Sequence, residues 1–291
     1  MLLRSFSSST LFYNPLCKRL FSSLSYTKYG ECSNTSLPPL LIAHGLFGNK
    51  KNWHSAAKAL QQKLDNQIYV IDLRNHGDSQ HLESMTYPEM AEDVDHFITD
   101  IILEETGYDE IDILGHSMGG KVSMQLAFNK DSAKNIRKLI IEDISPIYVN
   151  KTHLFPKYIK ALMAIDYSLS RIEIDNILKK DIPDNATRAF LLTNLQKDPG
   201  EKNFRFKANL KSINEHVDHI IGHTFEKNCY FDKETLFLSG EHSLYVNPSD
   251  RSIIRRYFPN VNFEVIENAG HWIHAENFPA FKDAVVSFLK S

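Results

Sequence analysis

The feature that most restricts this chain is the stretch Ile111-Asp112-Ile113-Leu114-Gly115-His116-Ser117-Met118-Gly119-Gly120. A β-branched run leads into a Gly-x-Ser-x-Gly pentapeptide, and a helix-like segment from Lys121 to Phe128 follows. Strand, pentapeptide and helix in that order describe a sharp turn that lifts a serine hydroxyl clear of a sheet edge. Gly115 and Gly119 leave out the Cβ atoms for which such a turn has no room.

The rest of the chain can be ordered around that turn. Leu40-Leu41-Ile42-Ala43 reads as a buried parallel strand. It ends at His44-Gly45-Leu46-Phe47-Gly48, a turn that opens a helix from about Trp53 to Leu64. Ile68 to Leu73 is the next strand, and Arg74 to Ser79 is a polar loop. Met90, Val94, Phe97, Ile98, Ile101 and Ile102 recur at helical spacing, which predicts a helix over 86–105. Beyond the serine turn comes a strand from Leu139 to Ile144, closed by Ser145-Pro146. Strand and helix alternate regularly, so the predicted fold class is α/β, with a mostly parallel central sheet and helices on both faces. From about Ile147 to Tyr230 the alternation stops. Amphipathic helical segments, broken near Pro156, Pro183 and Pro199-Gly200, predict a helical cap inserted over the site. The alternation resumes with Thr235 to Leu238, a helix near 251–257, a strand from Val261 to Ile266 and a closing helix near 279–289. The predicted division is a core over 22–146, a cap over 147–230 and a second part of the core over 231–291.

A chain of 291 residues suits one such domain with an insertion. The net charge of −3 gives no argument for a nucleic-acid partner or an anionic membrane. Cys17, Cys32 and Cys229 are too few and too scattered for a disulfide framework or a zinc site, and neither metal nor cofactor is expected. No apolar run approaches the ~20 residues that span a bilayer. The first 30 residues depart from the average, with Arg4, Lys18, Arg19, Lys28, seven serines and no acid before Glu31. That is the composition of a mitochondrial transit peptide. Arg19-Leu20-Phe21 before Ser22-Ser23 looks like a matrix-processing site, so residues 1–21 read as the leader and the mature chain as mitochondrial.

Serine is a weak nucleophile at neutral pH and needs a base, itself held by a carboxylate. Among 13 histidines, His271 in Ala269-Gly270-His271-Trp272 stands just after the last strand, where the base belongs. His274 invites a metal pair, but no third ligand is evident and it reads as structural or surface. His216, His219 and His223 share a helical face of the cap and read as solvated. For the acid there are two candidates. The loop after Leu236–Leu238 carries Gly240-Glu241-His242-Ser243, with serine where Gly-x-x-Asp would place the aspartate. Asp143, 26 residues beyond Ser117, closes the preceding strand at the same sheet edge. Asp143 is the first choice and Glu241 the alternative. Two backbone N–H groups must meet the oxyanion. Met118 supplies one, and Leu46 the other, with Phe47 next in line.

These motifs taken together resemble one branch of the α/β-hydrolase superfamily. His44-Gly45-Leu46-Phe47-Gly48, Asp72 to Ser79, Gly115 to Lys121, Asp143-Ile144-Ser145-Pro146 and Ala269 to Ala275 carry the resemblance, joined by Phe190 to Leu195 in the cap. The branch includes the mitochondrial abhydrolase-domain esterases, a bacterial short-chain esterase and the yeast ethanol acetyltransferases. The resemblance implies a triad of Ser117, Asp143 and His271, places Ser243 beside it, and matches the leader-like N-terminus. It further implies an acetyl-enzyme on Ser117, formed from acetyl-CoA or a short ester. Acetyl-CoA, ethanol and short-chain esters are thus the expected small-molecule partners, acetyl-CoA as a substrate rather than a resident cofactor. Transfer to ethanol gives ethyl acetate, and transfer to water gives hydrolysis. An apolar acceptor pocket built from Leu46-Phe47 and cap residues would favour ethanol. The expected activity is ethanol O-acetyltransfer with esterase and thioesterase side reactions. A water-only carboxylesterase and a non-catalytic acyl- or partner-binding protein are the alternatives.

Overall fold

The computed structural model describes residues 23–31, 37–147 and 154–291, so the leader assigned to 1–21 lies outside the described residues. Seven strands form one sheet. In chain order they are β1 (Tyr26–Tyr29), β2 (Leu40–Ala43), β3 (Ile68–Ile71), β4 (Ile111–His116), β5 (Ile136–Glu142), β6 (Thr235–Gly240) and β7 (Val261–Ile266). In space they run β1-β3-β2-β4-β5-β6-β7, all parallel except β1, which pairs antiparallel with β3. The fold is therefore an α/β hydrolase architecture with a mostly parallel sheet. β2, β3 and β4 are buried along their whole length, as strands covered on both faces must be.

Alternate residues of these strands feed two cores, because successive side chains leave opposite faces. Leu40, Ile42, Val70 and Leu114 pack with α1 (His54–Leu64) and the closing α9 (Phe278–Lys290). Leu41, Ala43, Ile71 and Ile113 pack with α2 (Tyr87–Phe97) and α3 (Met118–Ala127) on the other face. After β2 the chain steps outward to β3 and then crosses back to β4. The loops following β2 and β4 thus lie side by side at the carboxyl edge, where open parallel sheets bind ligands.

Several boundaries differ from expectation. The helix after the serine turn starts at Met118, not Lys121. Gly119 and Gly120, poor helix formers by propensity, are required there by packing: a Cβ on Gly119 would collide with the Ala43 carbonyl, and one on Gly120 would come 2.6 Å from Ile144 Cγ2. The helix over 86–105 is capped by a Thr86–Glu89 box but passes through a π-helical turn at Ile98–Leu103. β5 stops at Glu142, which leaves Asp143 outside the strand, in a turn with φ 53°.

Between β5 and β6 lie α4 (Phe155–Met163), α5 (Arg171–Leu178), α6 (Asn185–Leu191) and α7 (Leu210–Gly222); α8 (Arg251–Tyr257) follows β6. Pro156 opens α4 rather than breaking a helix, as proline does in a first turn. The segment is not wholly helical, since Leu195–Gln196 and Arg205–Phe206 form a two-stranded ribbon around Pro199-Gly200. Polar side chains tie this insertion to the core. Asn75 Nδ2 donates to Ser212 Oγ at 3.0 Å, Asn194 Nδ2 to the Phe47 carbonyl at 2.7 Å, and Lys121 Nζ to the His223 carbonyl at the end of α7 at 2.5 Å. Burial of Lys121 lowers its pKa to about 8.

Candidate active site

β4 passes into α3 through Ser117, whose φ of 52° and ψ of −116° lie outside the regions ordinary residues adopt. The turn is this tight because its flanks touch. A Cβ on Gly115 would come within 2.5 Å of the Gly119 carbonyl oxygen and of Ser123 Oγ. Ser117 is thereby presented at the head of α3 and lines a pocket.

His271 sits in the turn after β7 and reaches both partners. Its Nε2 lies 3.1 Å from Ser117 Oγ, and its Nδ1 lies 2.7 Å from Asp143 Oδ2. Asp143 is fully buried. Its Oδ1 accepts the Gly240 N–H at 3.2 Å, and its Oδ2 also accepts the Ser243 hydroxyl. Those donors offset the desolvation of a buried carboxylate. Glu241 is exposed and accepts the Asn268 N–H at 2.9 Å, away from the imidazole. Of the two candidate acids, the fold brings Asp143 to His271, and Ser243 supports it.

The candidate oxyanion donors flank Ser117. The Met118 N–H is at the first position of α3, where a helix offers no internal acceptor. Phe47 has φ 61°, and its N–H donates to His76 Nε2 at 3.2 Å, which leaves Leu46 as the candidate on that turn. His76 and His44 are fully buried, and burial lowers the pKa of each, that of His76 to about 3 with a smaller push from His44. Both rings are neutral. Each accepts a main-chain N–H at Nε2 and donates from Nδ1 to a carbonyl: His44 from Leu73 and to Gly45, His76 from Phe47 and to Arg74. The two rings, 5.1 Å apart, lock the turn after β2 to the loop after β3. That loop is itself fixed by buried Asp72, which accepts Lys50 Nζ at 2.5 Å, the Lys50 N–H at 2.6 Å and the Asp78 N–H at 2.8 Å. Sequence reading assigned none of these residues a role. The recurrence of His-Gly after two successive strands was the available signal.

Of the two readings of His274, structural or surface, the packing fits the structural one: its Nδ1 lies 2.7 Å from Glu142 Oε1, and Trp53 stacks on its ring at 4.0 Å. His116, Glu142 and His274 offer donor atoms within 4.8 Å of one another, so a third potential ligand is present. The short contacts in this cluster are hydrogen bonds, including His116 Nε2 to the His271 carbonyl at 2.9 Å. Each member adjoins or nearly adjoins a triad residue in sequence, and together they brace the floor beneath the site. Of the three histidines read as solvated, His219 is exposed, whereas His223 ends α7 wedged between Tyr87 and Phe225, with ring centroids at 4.5 and 4.7 Å.

Above Ser117 lies a cavity of about 140 Å³, walled by Leu46, Phe47, Leu154, Phe155, Phe190 and Leu191. A serine hydroxyl hydrogen-bonded to an imidazole, the imidazole to a buried carboxylate, and a helix-head N–H next to the serine are the arrangement that acyl transfer requires.

Known proteins share this fold. The profile of the alpha/beta hydrolase fold matches residues 38–188. The chain is 36% identical to an sn-1-specific diacylglycerol lipase of Mus musculus, covering 88% of this chain and 82% of that protein. It is 33% identical to a probable alcohol acetyltransferase of Saccharomyces cerevisiae, covering 87% and 77%. Among solved structures, a marine microorganism esterase superposes with a TM-score of 0.81 at 35% identity, covering 91% of this chain and 98% of that one. The fold, the pentapeptide turn and these relationships agree: the chain belongs to the α/β hydrolase fold family.

Proposed function

We propose that this protein is a serine esterase of short acyl groups that works through an acyl-Ser117 intermediate. The observation that carries the reading is the chain of contacts Ser117–His271–Asp143 at 3.1 and 2.7 Å, opening into a small apolar cavity. His271 takes the Ser117 proton as Oγ attacks the acyl carbonyl, and the Leu46 and Met118 N–H groups face the oxyanion. His271 then protonates the leaving alcohol or thiol, and the carbonyl re-forms as the acyl-enzyme. In the second half a small hydroxyl compound gives its proton to His271 and takes the acyl group, and His271 returns that proton to the departing Ser117 Oγ. Losing one oxyanion donor raises such barriers by ~3–4 kcal/mol.

The cavity argues for a short acyl group. About 140 Å³ is close to the volume of an apolar cavity known to hold one benzene. The finer proposal is that the donor is acetyl-CoA and the preferred acceptor ethanol, giving ethyl acetate. Support comes from the apolar walls, which lower water activity near the acyl carbon, and from the yeast relative. Purified protein given acetyl-CoA and graded ethanol should form ethyl acetate in rising proportion to free acetate. Acetate dominating at every ethanol level would leave the water-only esterase. Activity on a diacylglycerol exceeding that on p-nitrophenyl acetate would instead favour the substrate class in the mouse relative's name. Loss of all turnover in Ser117→Ala excludes a purely binding role. For the leader, residues 1–30 fused to a fluorescent reporter should direct it to mitochondria; a diffuse reporter refutes that assignment.

A further inference from the structure

The loop after β6, which offers Glu241 but not the acid of the triad, contributes in another way. Ser243 donates its hydroxyl to Asp143 and accepts the Tyr245 N–H at 3.2 Å. The Tyr245 ring stacks on the His271 imidazole, with centroids 4.0 Å apart and planes 23° apart. Tyr245 also lines the cavity, so its ring closes the side of the imidazole that would otherwise meet solvent or substrate. The His271 side chain is 16% exposed.

We propose that Tyr245 is a positioning residue for the base: its ring face fixes the His271 imidazole toward both Ser117 and Asp143 and stabilises it in the protonated form that acyl transfer generates. During transfer the imidazole carries a positive charge. An aromatic face within 6 Å attracts a cation, more strongly where water is excluded. The other groups facing His271 are Asp143 from the end of β5, Ser117 from the head of α3, the His116 ring, 4.8 Å away, from β4, and the Trp272 ring, 5.9 Å away and tilted by 58°. Behind His116 lies the Glu142–His274 pair, and Tyr158 of α4 faces Tyr245 across the cavity. Among these, Asp143 alone accepts a hydrogen bond from the imidazole Nδ1–H, and Tyr245 alone stacks flat on the ring.

The role presupposes that His271 is the base. The test compares wild type, Tyr245→Phe and Tyr245→Leu in kcat and KM for p-nitrophenyl acetate across pH 5–9. Tyr245→Phe keeps the face and should superimpose on wild type. Tyr245→Leu keeps bulk but no π face. Its imidazole should hold the proton less tightly, moving the acid limb of kcat/KM to lower pH by about half to one unit. Its kcat should fall severalfold while KM stays within about twofold. An unmoved limb in Tyr245→Leu, or an equal shift in Tyr245→Phe, overturns the proposal. A second readout needs no turnover: the His271 ring signal, followed by NMR in a Ser117→Ala background, should titrate lower with Leu at 245 and unchanged with Phe. If Ser117→Ala retains esterase activity, the triad reading has failed; if the ring titration ignores position 245, the Tyr245 role has failed.

Discussion

Asp143 Oδ2 lies 2.7 Å from His271 Nδ1, although Asp143 follows the strand beside the nucleophile's own and an exposed carboxylate, Glu241, stands one strand further along. Burial, a backbone N–H and the Ser243 hydroxyl all converge on Asp143. Asp143→Asn should therefore cut kcat roughly 10³- to 10⁴-fold, because an amide favours the wrong imidazole tautomer. Glu241→Gln should keep turnover within about twofold. Steady-state kinetics on a short ester decides between them, and the reverse pattern would move the acid to Glu241.

The neutral pair His44 and His76 makes stability acid-sensitive. The folded-state pKa of His76 is depressed to about 3, against about 6.5 in an unfolded chain. Its contribution is therefore complete above pH 6.5 and lost as pH falls from 6.5 toward 3, because only the unfolded state takes up the proton. His76 thereby removes about 1.4 kcal/mol per pH unit in that window. His76→Gln keeps an acceptor for the Phe47 N–H but cannot be protonated there. Urea unfolding at pH 7, 6 and 5 should show a slope about one proton shallower in the variant. Equal slopes would mean that His76 is not held neutral in the fold.

Gly77 isolates a steric requirement from a backbone one. Its φ is +58°, and a Cβ there would fall on the Asp72 carboxylate that holds Lys50 and the Asp78 N–H. Gly107 has φ +71° but nothing within 4 Å of its missing Cβ. Gly107→Ala should lose about 1 kcal/mol for the left-handed conformation alone. Gly77→Ala should lose more, about 2–4 kcal/mol, because the clash breaks a buried charge network. Chemical denaturation of the two variants measures the difference, and equal losses would refute the clash.

How far the sequence carried depends on the distance over which each feature is determined. β2 to β4 and the helix at 251–257 were legible because a buried run or a helical period is a local property. β1 was not, since Tyr26–Tyr29 is a short edge strand held by Lys28 on Glu105 and by Tyr26 against Phe97. The start of α3 was hidden by glycines whose reason is the Ala43 carbonyl on another strand. Asp143 was reachable because the carboxyl ends of neighbouring strands converge. His76 serves Phe47 from 29 residues away and is marked only by the repeated His-Gly after a strand, while Glu142, which serves His274 from 132 residues away, has no local signature.

The apolar wall of the cavity should set acyl length, and Phe190 is the side chain through which to show it. It stands on α6 in the insertion, lines the cavity and rests against Trp272 with centroids 5.3 Å apart, so it closes the space without touching the triad. Phe190→Ala opens that wall. Each methylene then accommodated contributes up to ~0.8 kcal/mol, about fourfold in kcat/KM. Across p-nitrophenyl acetate, butyrate and octanoate, the variant should shift the octanoate-to-acetate ratio upward by at least tenfold, with the acetate rate itself within about threefold of wild type. Ile172→Ala, on the exposed side of α5, should leave the whole series unchanged. A wild-type enzyme already fastest on octanoate, or a Phe190→Ala profile parallel to wild type, would show that the acyl chain leaves the site by another route.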